Sequence, residues 1–357
     1  MKILHSADWH LDSPIIGRTE AQTDLLKSTL LEIPYKVAAA AKAERCDLML
    51  LAGDLFDSAA TPESIKTLKD ALTEVEIPVF IVPGNHDFLS PASVWLTEHW
   101  PENVHIFTSS NWESVSLPHL DCRVYGAAFT GPASEALLDG FRAECSEAYA
   151  IGILHGDPTV ASSPYCPITA RQIRDSGLNY LALGHIHKGD RILSGSTLCA
   201  WPGCPMGRGF DELDSKGVLI VTLDSNGCDT RFLSLDTPRF FDWECEAGTD
   251  AAVSLSRLLP AAGSDDFYRI TFIGESEPLD MTLLEKAFPQ FPNLVLRDRT
   301  EPPMDIWANV GEDSLEGMYF GLLHQQLESA DEATGEKILL AAKLSRRILE
   351  NREVKLP

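Results

Sequence analysis

Five short segments hold the side chains best suited to binding a metal ion and moving a proton. They are Asp8-Trp9-His10, Gly53-Asp54-Leu55-Phe56-Asp57, Gly84-Asn85-His86-Asp87, His155-Gly156 and Gly184-His185-Ile186-His187. Carboxylate and carboxamide oxygens mixed with imidazole nitrogens suit Mn²⁺, Fe²⁺ or Zn²⁺, and the lack of thiolate among them argues against a structural zinc. Two such ions about 3.5–4 Å apart clamp a phosphate oxygen and stabilise attack and departure together. A carboxylate shared by both ions is the natural bridge. Asp54 is the best candidate, being central in chain order and at the end of an apolar run.

Each segment follows a run that reads as a strand. Lys2–Ser6, Leu48–Ala52 and Val79–Val82 read as buried strands ending in polar residues, and Ile151–His155 and Tyr180–Leu183 precede the last two segments. Further strands are expected at Arg123–Ala128, Val218–Leu223 and Arg231–Leu235. Between the first three runs, Gln22–Ala43 and Pro62–Val75 carry helical spacing, with Thr61 as N-cap and Pro62 at the first helical position. Alternating strand and helix followed by several strands predicts a layered α/β domain with helices outside a sheet sandwich. Ligand sites in open α/β sheets lie beyond the carboxyl ends of strands, where these five segments fall, and their glycines permit tight turns.

The pattern changes near Asp236-Thr237-Pro238. Residues 240–300 read as strand, helix, strand, helix, strand, and residues 313–352 as helix broken near Ala330–Gly335. The expected organisation is a catalytic domain at 1–235, a small second domain at 236–310 and a helical extension at 311–357. A chain of 357 residues with 44% hydrophobic content has material for more than one core. Its start lacks the apolar stretch of a signal peptide, and no run approaches the roughly 20 apolar residues of a membrane span, so a cytoplasmic protein without a membrane role is expected. The eight cysteines stand singly, and even Cys199 and Cys204 match no zinc spacing, which fits free thiols. A net charge of −24, with none of the three segments net basic, excludes a broad electrostatic grip on nucleic acid. Contact with DNA must then be local, assisted by metals or supplied by a partner; the alternative is a simple solvated acidic surface.

The five segments, in this order, resemble the signatures Asp-x-His, Gly-Asp-x-x-Asp, Gly-Asn-His-Asp, His and Gly-His-x-His of the calcineurin-like metallophosphoesterase superfamily. The resemblance implies a four-layer sandwich, two mixed β-sheets flanked by helices. It implies one metal on Asp8, His10, Asp54 and His187 and a second on Asn85, His155 and His185, with Asp54 bridging. His86 would contact the scissile phosphate and stabilise or protonate the leaving oxygen, with Asp57 and Asp87 behind the ligands and Asp87 orienting His86.

The text around the first three segments, and the block Pro202–Glu212 followed by Lys216-Gly217-Val218, is similar to SbcD-type DNA repair exonucleases. Asp12-Ser13-Pro14 is more like their YhaO-type branch. This likeness covers residues 1–235 and the rest only in domain order. It implies a Mn²⁺-dependent exonuclease (Fe²⁺, Zn²⁺ or Mg²⁺ being alternatives) attacking phosphodiesters with a metal-bridged hydroxide. It also implies an α+β capping domain, a helical tail that meets a coiled-coil SMC-like ATPase, and a homodimer formed through Pro62–Val75 and Ala92–His99. Lys188, Arg191, Arg208 and Arg18 are the few cations placed to meet DNA. Two other readings stand beside this one: a phosphodiesterase for small molecules such as cyclic nucleotides, and a scaffold that binds DNA ends. His5, His99, His105, His119 and His324 have no motif context and are expected on the surface or in packing, and Trp9 in the core.

Overall fold

The computed structural model describes residues 1–15, 17, 19–57, 59–144 and 146–352. The apolar runs at the start become strand β1 (Lys2–Ser6), helix α1 (Glu20–Glu44), β2 (Leu48–Ala52), helix α2 (Pro62–Val75) and β3 (Val79–Val82). Thr19 opens α1 with a reciprocal cap: its hydroxyl accepts from the Gln22 N–H, and the Gln22 side chain accepts from the Thr19 N–H, both at 3.2 Å. Thr61 caps α2, and Asp12 reinforces it by accepting from the Thr61 N–H at 2.8 Å and from the Thr61 hydroxyl at 3.0 Å. Asp12 thereby ties the loop after β1 to the helix after β2.

Helix α3 (Val94–Thr97) leads to β4 (Val104–Ile106), followed by β5 (Glu113–Leu117), β6 (Cys122–Gly126), β7 (Tyr149–His155), α4 (Ala170–Asp175) and β8 (Tyr180–Gly184). β9 (Lys188–Ser194), β10 (Thr197–Gly203), β11 (Gly217–Asp224) and β12 (Gly227–Ser234) follow. Two mixed six-stranded sheets result, ordered β12-β11-β1-β2-β3-β4 and β5-β6-β7-β8-β10-β9. β1 to β4 run parallel, as do β6, β7, β8 and β10, so their carboxyl ends share an edge in each sheet.

Alternation along the strands sorts the core. Ile3, Leu48, Leu50 and Ala52 from the first sheet meet Val124, Ile151, Ile153 and Ala182 from the second in one buried layer. Leu4, Met49 and Leu51 point the other way, onto Leu26, Leu30, Ile33, Leu68 and Leu72 of α1 and α2. Leu154, Leu181 and Leu183 pack outward against Ile173 of α4. The layers are therefore helix, sheet, sheet and a covering layer with α4, which explains why β2 is buried on both faces. Truncating Leu50 to Ala there costs about 2–5 kcal/mol.

Beyond β12, the order expected for 240–300 is observed: β13 (Phe240–Glu246), α5 (Ala251–Leu258), β14 (Phe267–Ile273), α6 (Met281–Ala287) and β15 (Leu294–Asp298), the strands forming a third sheet in the order β13-β14-β15. Helices α7 (Leu315–Glu328) and α8 (Glu332–Leu349) complete the chain. Arg346 of α8 is buried, with its guanidinium over the Phe320 ring at 4.0 Å and bonded to Glu316 and to the Ala308 carbonyl. The chain divides into two compact units. One comprises Met1–Trp243, Ala262–Ile270 and Pro289–Val295, and the other Glu244–Ala261, Thr271–Phe288 and the chain from Leu296. Among the described residues, no helix is long and apolar enough to cross a membrane.

Candidate metal centre

The loops that follow β1 and β2 are stitched to each other. Asp8 N–H donates to the Gly53 carbonyl at 3.0 Å, His10 N–H to Asp54 at 3.0 Å and Leu11 N–H to Leu55 at 2.9 Å, while Asp57 N–H returns to Leu11 at 2.8 Å. Within this lattice Asp8, His10 and Asp54 hold φ of 57°, 49° and 52°. Non-glycine residues in that region cost about 1–2 kcal/mol each, and three side by side mark a site that the surrounding fold over-determines. Two glycines admit the close approach: a Cβ on Gly84 would strike the Asp54 carboxylate, and one on Gly184 the Ala52 carbonyl.

The five segments converge on one place. Asp8, His10 and His187 bring ligand atoms within 4.8 Å of one another, as do Asp54, His155 and His185, and Asp54 also groups with His10 and His86. The Asn85 Oδ1 lies 3.0 Å from His155 Nε2 and 3.1 Å from His185 Nδ1. Asp8, His10, Asp54 and His155 are almost fully buried.

The protonation of these rings tests whether a cation fits. His10 Nδ1 faces the Asp57 carboxylate at 3.3 Å, and His187 Nδ1 faces the Glu212 carboxylate at 2.7 Å. In the neutral rings those contacts place the protons on Nδ1, leaving the two Nε2 lone pairs aimed at each other 3.1 Å apart. His155 Nδ1 faces the Ala52 carbonyl at 2.9 Å, so in the neutral ring the Nε2 lone pair would meet Asn85 Oδ1 and, at 3.3 Å, Asp54 Oδ2, and only a proton or a cation at Nε2 relieves that opposition. Acceptors opposing acceptors in a buried space are satisfied by divalent cations, and oxygen with imidazole is a suitable donor set.

The electrostatics point the same way. Burial pushes the Asp8 carboxyl above its ordinary range. For Asp54 burial acts upward too, but the charge of His155 and its hydrogen bond outweigh it and hold the carboxyl low. His155, against its own burial, is raised to about 9 by Asp54 and Asp8. His185 is pushed down to about 4 by burial and by His155. The pocket demands positive charge near Asp54 and Asp8, whether from protons or from metal.

His86 stands at the rim with its ring exposed, and its Nδ1 faces Asp57 Oδ1 at 2.9 Å. The orienting partner expected from sequence was Asp87, and here the structure differs. Asp87 accepts from the N–H groups of Gly84 at 2.7 Å, Leu55 at 2.9 Å and Phe56 at 3.3 Å, so its oxygens are spent fastening the loops after β2 and β3. Burial and the charge of Asp54 raise it to about 7. Sequence reasoning also passed over Glu212 as a site residue, although the block that carries it was noticed.

Arg208 lies beside His187, bonded to Glu212, and borders a cleft of about 440 Å³ with Ser13, Asp57 and Asp211. Lys188 and Arg191 line a larger cleft of about 800 Å³ that begins at His187, but Arg191 is paired with Asp229 at 3.1 Å. Arg18 lies outside the described residues. Trp9 is buried, donating to Ser6 Oγ at 2.8 Å, and packs in the core as expected.

The family of calcineurin-like phosphoesterases matches residues 1–189. The chain belongs to the calcineurin-like phosphoesterases. The uncharacterized metallophosphoesterase YhaO of Bacillus subtilis strain 168 is 34% identical to this phosphoesterase over 240 residues, spanning 62% of this chain and 57% of that protein. The SbcD component of the nuclease SbcCD from the same strain is 27% identical over 272 residues, 62% of this chain and 66% of its own. This phosphoesterase thus spans less than two thirds of the length of both relatives. A dimetal phosphatase from Danio rerio is similar in structure at 14% identity and a TM-score of 0.43, covering 66% of this chain and 99% of that one.

Proposed function

We propose that this phosphoesterase is a two-metal DNA nuclease, acting as an exonuclease in DNA repair with Mn²⁺ in the cytoplasm. The observation that carries the metal chemistry is the ring of opposed acceptors, above all His10 Nε2 against His187 Nε2 at 3.1 Å. Asp8, His10, Asp54 and His187 hold the first ion; Asp54, Asn85, His155 and His185 hold the second. Two divalent cations held by these residues would supply Lewis-acid stabilisation of a bound phosphate and activation of water at neutral pH. His86 is outside both ligand sets; with Nδ1 tied to Asp57, its Nε2 meets the leaving oxygen and protonates it.

The choice of DNA rests on similarity to a nuclease component and on Lys188 beside the centre, Arg208 being bonded to Glu212. A charge of −24 leaves little long-range attraction for DNA, so affinity comes from the metals and from a partner. We assign that partner role to a coiled-coil SMC-like ATPase. Its proposed seat is α7, where Leu315, Met318, Tyr319 and Leu322 are exposed at the i, i+3, i+4, i+7 spacing of one helix face. Residues 1–235 are then the nuclease domain, 236–310 the cap and 311–357 the partner-binding extension. A homodimer forms through α2 and Ala92–His99.

The acidity also favours a second reading, a phosphodiesterase for small anions such as cyclic nucleotides. Comparing kcat/KM for an oligonucleotide with that for bis-p-nitrophenyl phosphate and a cyclic nucleotide separates the two. Preference for the oligonucleotide supports the nuclease, and turnover of the small diesters alone replaces it.

A further inference from the structure

Glu212 is the carboxylate to which the first metal's outermost histidine is anchored. Its side chain is only 6% exposed. Oε1 faces His187 Nδ1 at 2.7 Å and accepts from Arg208 Nη2 at 2.6 Å; Oε2 accepts from the Arg208 backbone N–H at 2.8 Å and Nε at 3.2 Å. Arg208 offsets the buried negative charge, so the carboxylate stays ionised without needing solvent. His187 is about one third exposed, unlike the buried His10, and it sits on the turn between β8 and β9. A ring there that lacked a partner on Nδ1 would be free to rotate or to carry its proton on Nε2.

We propose that Glu212, braced by Arg208, is a positioning residue that holds His187 in the Nδ1–H form with Nε2 directed at the first metal. The inference rests on the two-metal reading and extends it to residues outside the five segments, in the block Pro202–Glu212. Buried carboxylates behind metal-bound histidines contribute about 10–100-fold to metal affinity. Because the second ion's His155 leans instead on the Ala52 carbonyl, the effect must be confined to one of the two ions.

The test is titration of metal-free protein with Mn²⁺ by calorimetry, alongside the melting temperature of each metal-free variant. For Glu212→Gln the expected result is one site weakened about 10–100-fold and the other unchanged, with Arg208→Met giving a smaller shift in the same site. Glu212→Asp, which keeps the charge but shortens the reach, falls between wild type and Glu212→Gln. Two sites of wild-type affinity in Glu212→Gln would overturn the proposal, as would equal weakening of both. If Glu212→Gln does not fold, ¹⁵N spectra of the wild-type histidines in the zinc-loaded protein decide: a proton on His187 Nδ1 supports it, and one on Nε2 overturns it. Wild-type protein that binds no second ion would instead remove the two-metal reading itself.

Discussion

Asp57 Oδ1 lies 2.9 Å from His86 Nδ1 and 3.3 Å from His10 Nδ1, so one carboxylate oxygen stands behind both a proposed metal ligand and the proposed proton donor. It is held low by its hydrogen bond to His10, with His86 adding to the effect. Asp57→Asn keeps the shape but lets both rings turn. It is expected to lower kcat about 10–100-fold with KM little changed, while His86→Ala lowers kcat by about 10²–10⁴. Steady-state kinetics on a chromogenic phosphodiester checks both values. An Asp57→Asn enzyme with wild-type kcat would show that the shared oxygen is incidental.

Metal removal should soften the phosphoesterase region, residues 1–189, if the proposed ions bind there. A cation that binds only the folded state at about 100 times its dissociation constant adds about 3 kcal/mol. Stripping the protein with a chelator is thus expected to lower its melting temperature by several degrees, and Mn²⁺ to restore it. In Asp54→Ala, where both ion sets lose a ligand, added Mn²⁺ should leave the melting temperature unchanged.

Much of the fold was legible because buried strands are written as short apolar runs, unbroken in β2 and β3 and ending in polar residues in β1. β1, β2 and β3 have the bounds read from sequence for that reason. β5 and β9 were not legible: they are edge strands, Glu113–Leu117 half-exposed and Lys188–Ser194 largely exposed, so no continuous apolar signal marks them. β10 ends in Trp201-Pro202-Gly203, which reads as a turn. Three-residue β4 is too short to show a period.

The site divides along the same line. Candidate ligands that sit on the turn directly after a strand were visible, since strand, glycine and candidate ligand are adjacent in sequence. Asp57 in place of Asp87 behind His86 depends on how two loops cross, and Glu212 is 25 residues from His187, so only the folded chain brings them together.

His5 should make the domain acid-sensitive. Burial, against a hydrogen bond to the Leu183 carbonyl, pushes its imidazole down to about 3 from an ordinary value near 6.5. The folded state therefore binds fewer protons than the unfolded one between those values. Nothing is lost above pH 6.5, and stability falls as pH drops below it, by about 2–3 kcal/mol from this group at pH 4.5. Denaturant titrations at pH 7 and 4.5 should show this fall in wild type and a smaller one in His5→Gln.

Arg346 should be the weak point of the second unit when altered. Arg346→Met removes the partner of Glu316 and of the Ala308 carbonyl, and is expected to cost about 3 kcal/mol. Hydrogen exchange should accelerate across α7 and α8 while β1 to β3 stay protected. Uniform protection in the variant would show that the pair contributes little.

The most direct test is degradation of an end-labelled oligonucleotide, as duplex and as single strand, by wild type, His86→Ala and Asp54→Ala with Mn²⁺. Cleavage by wild type that is lost on adding chelator, strongly reduced in His86→Ala and absent in Asp54→Ala is the predicted result. Intact DNA with wild type, under conditions where a small phosphodiester is hydrolysed, would contradict it.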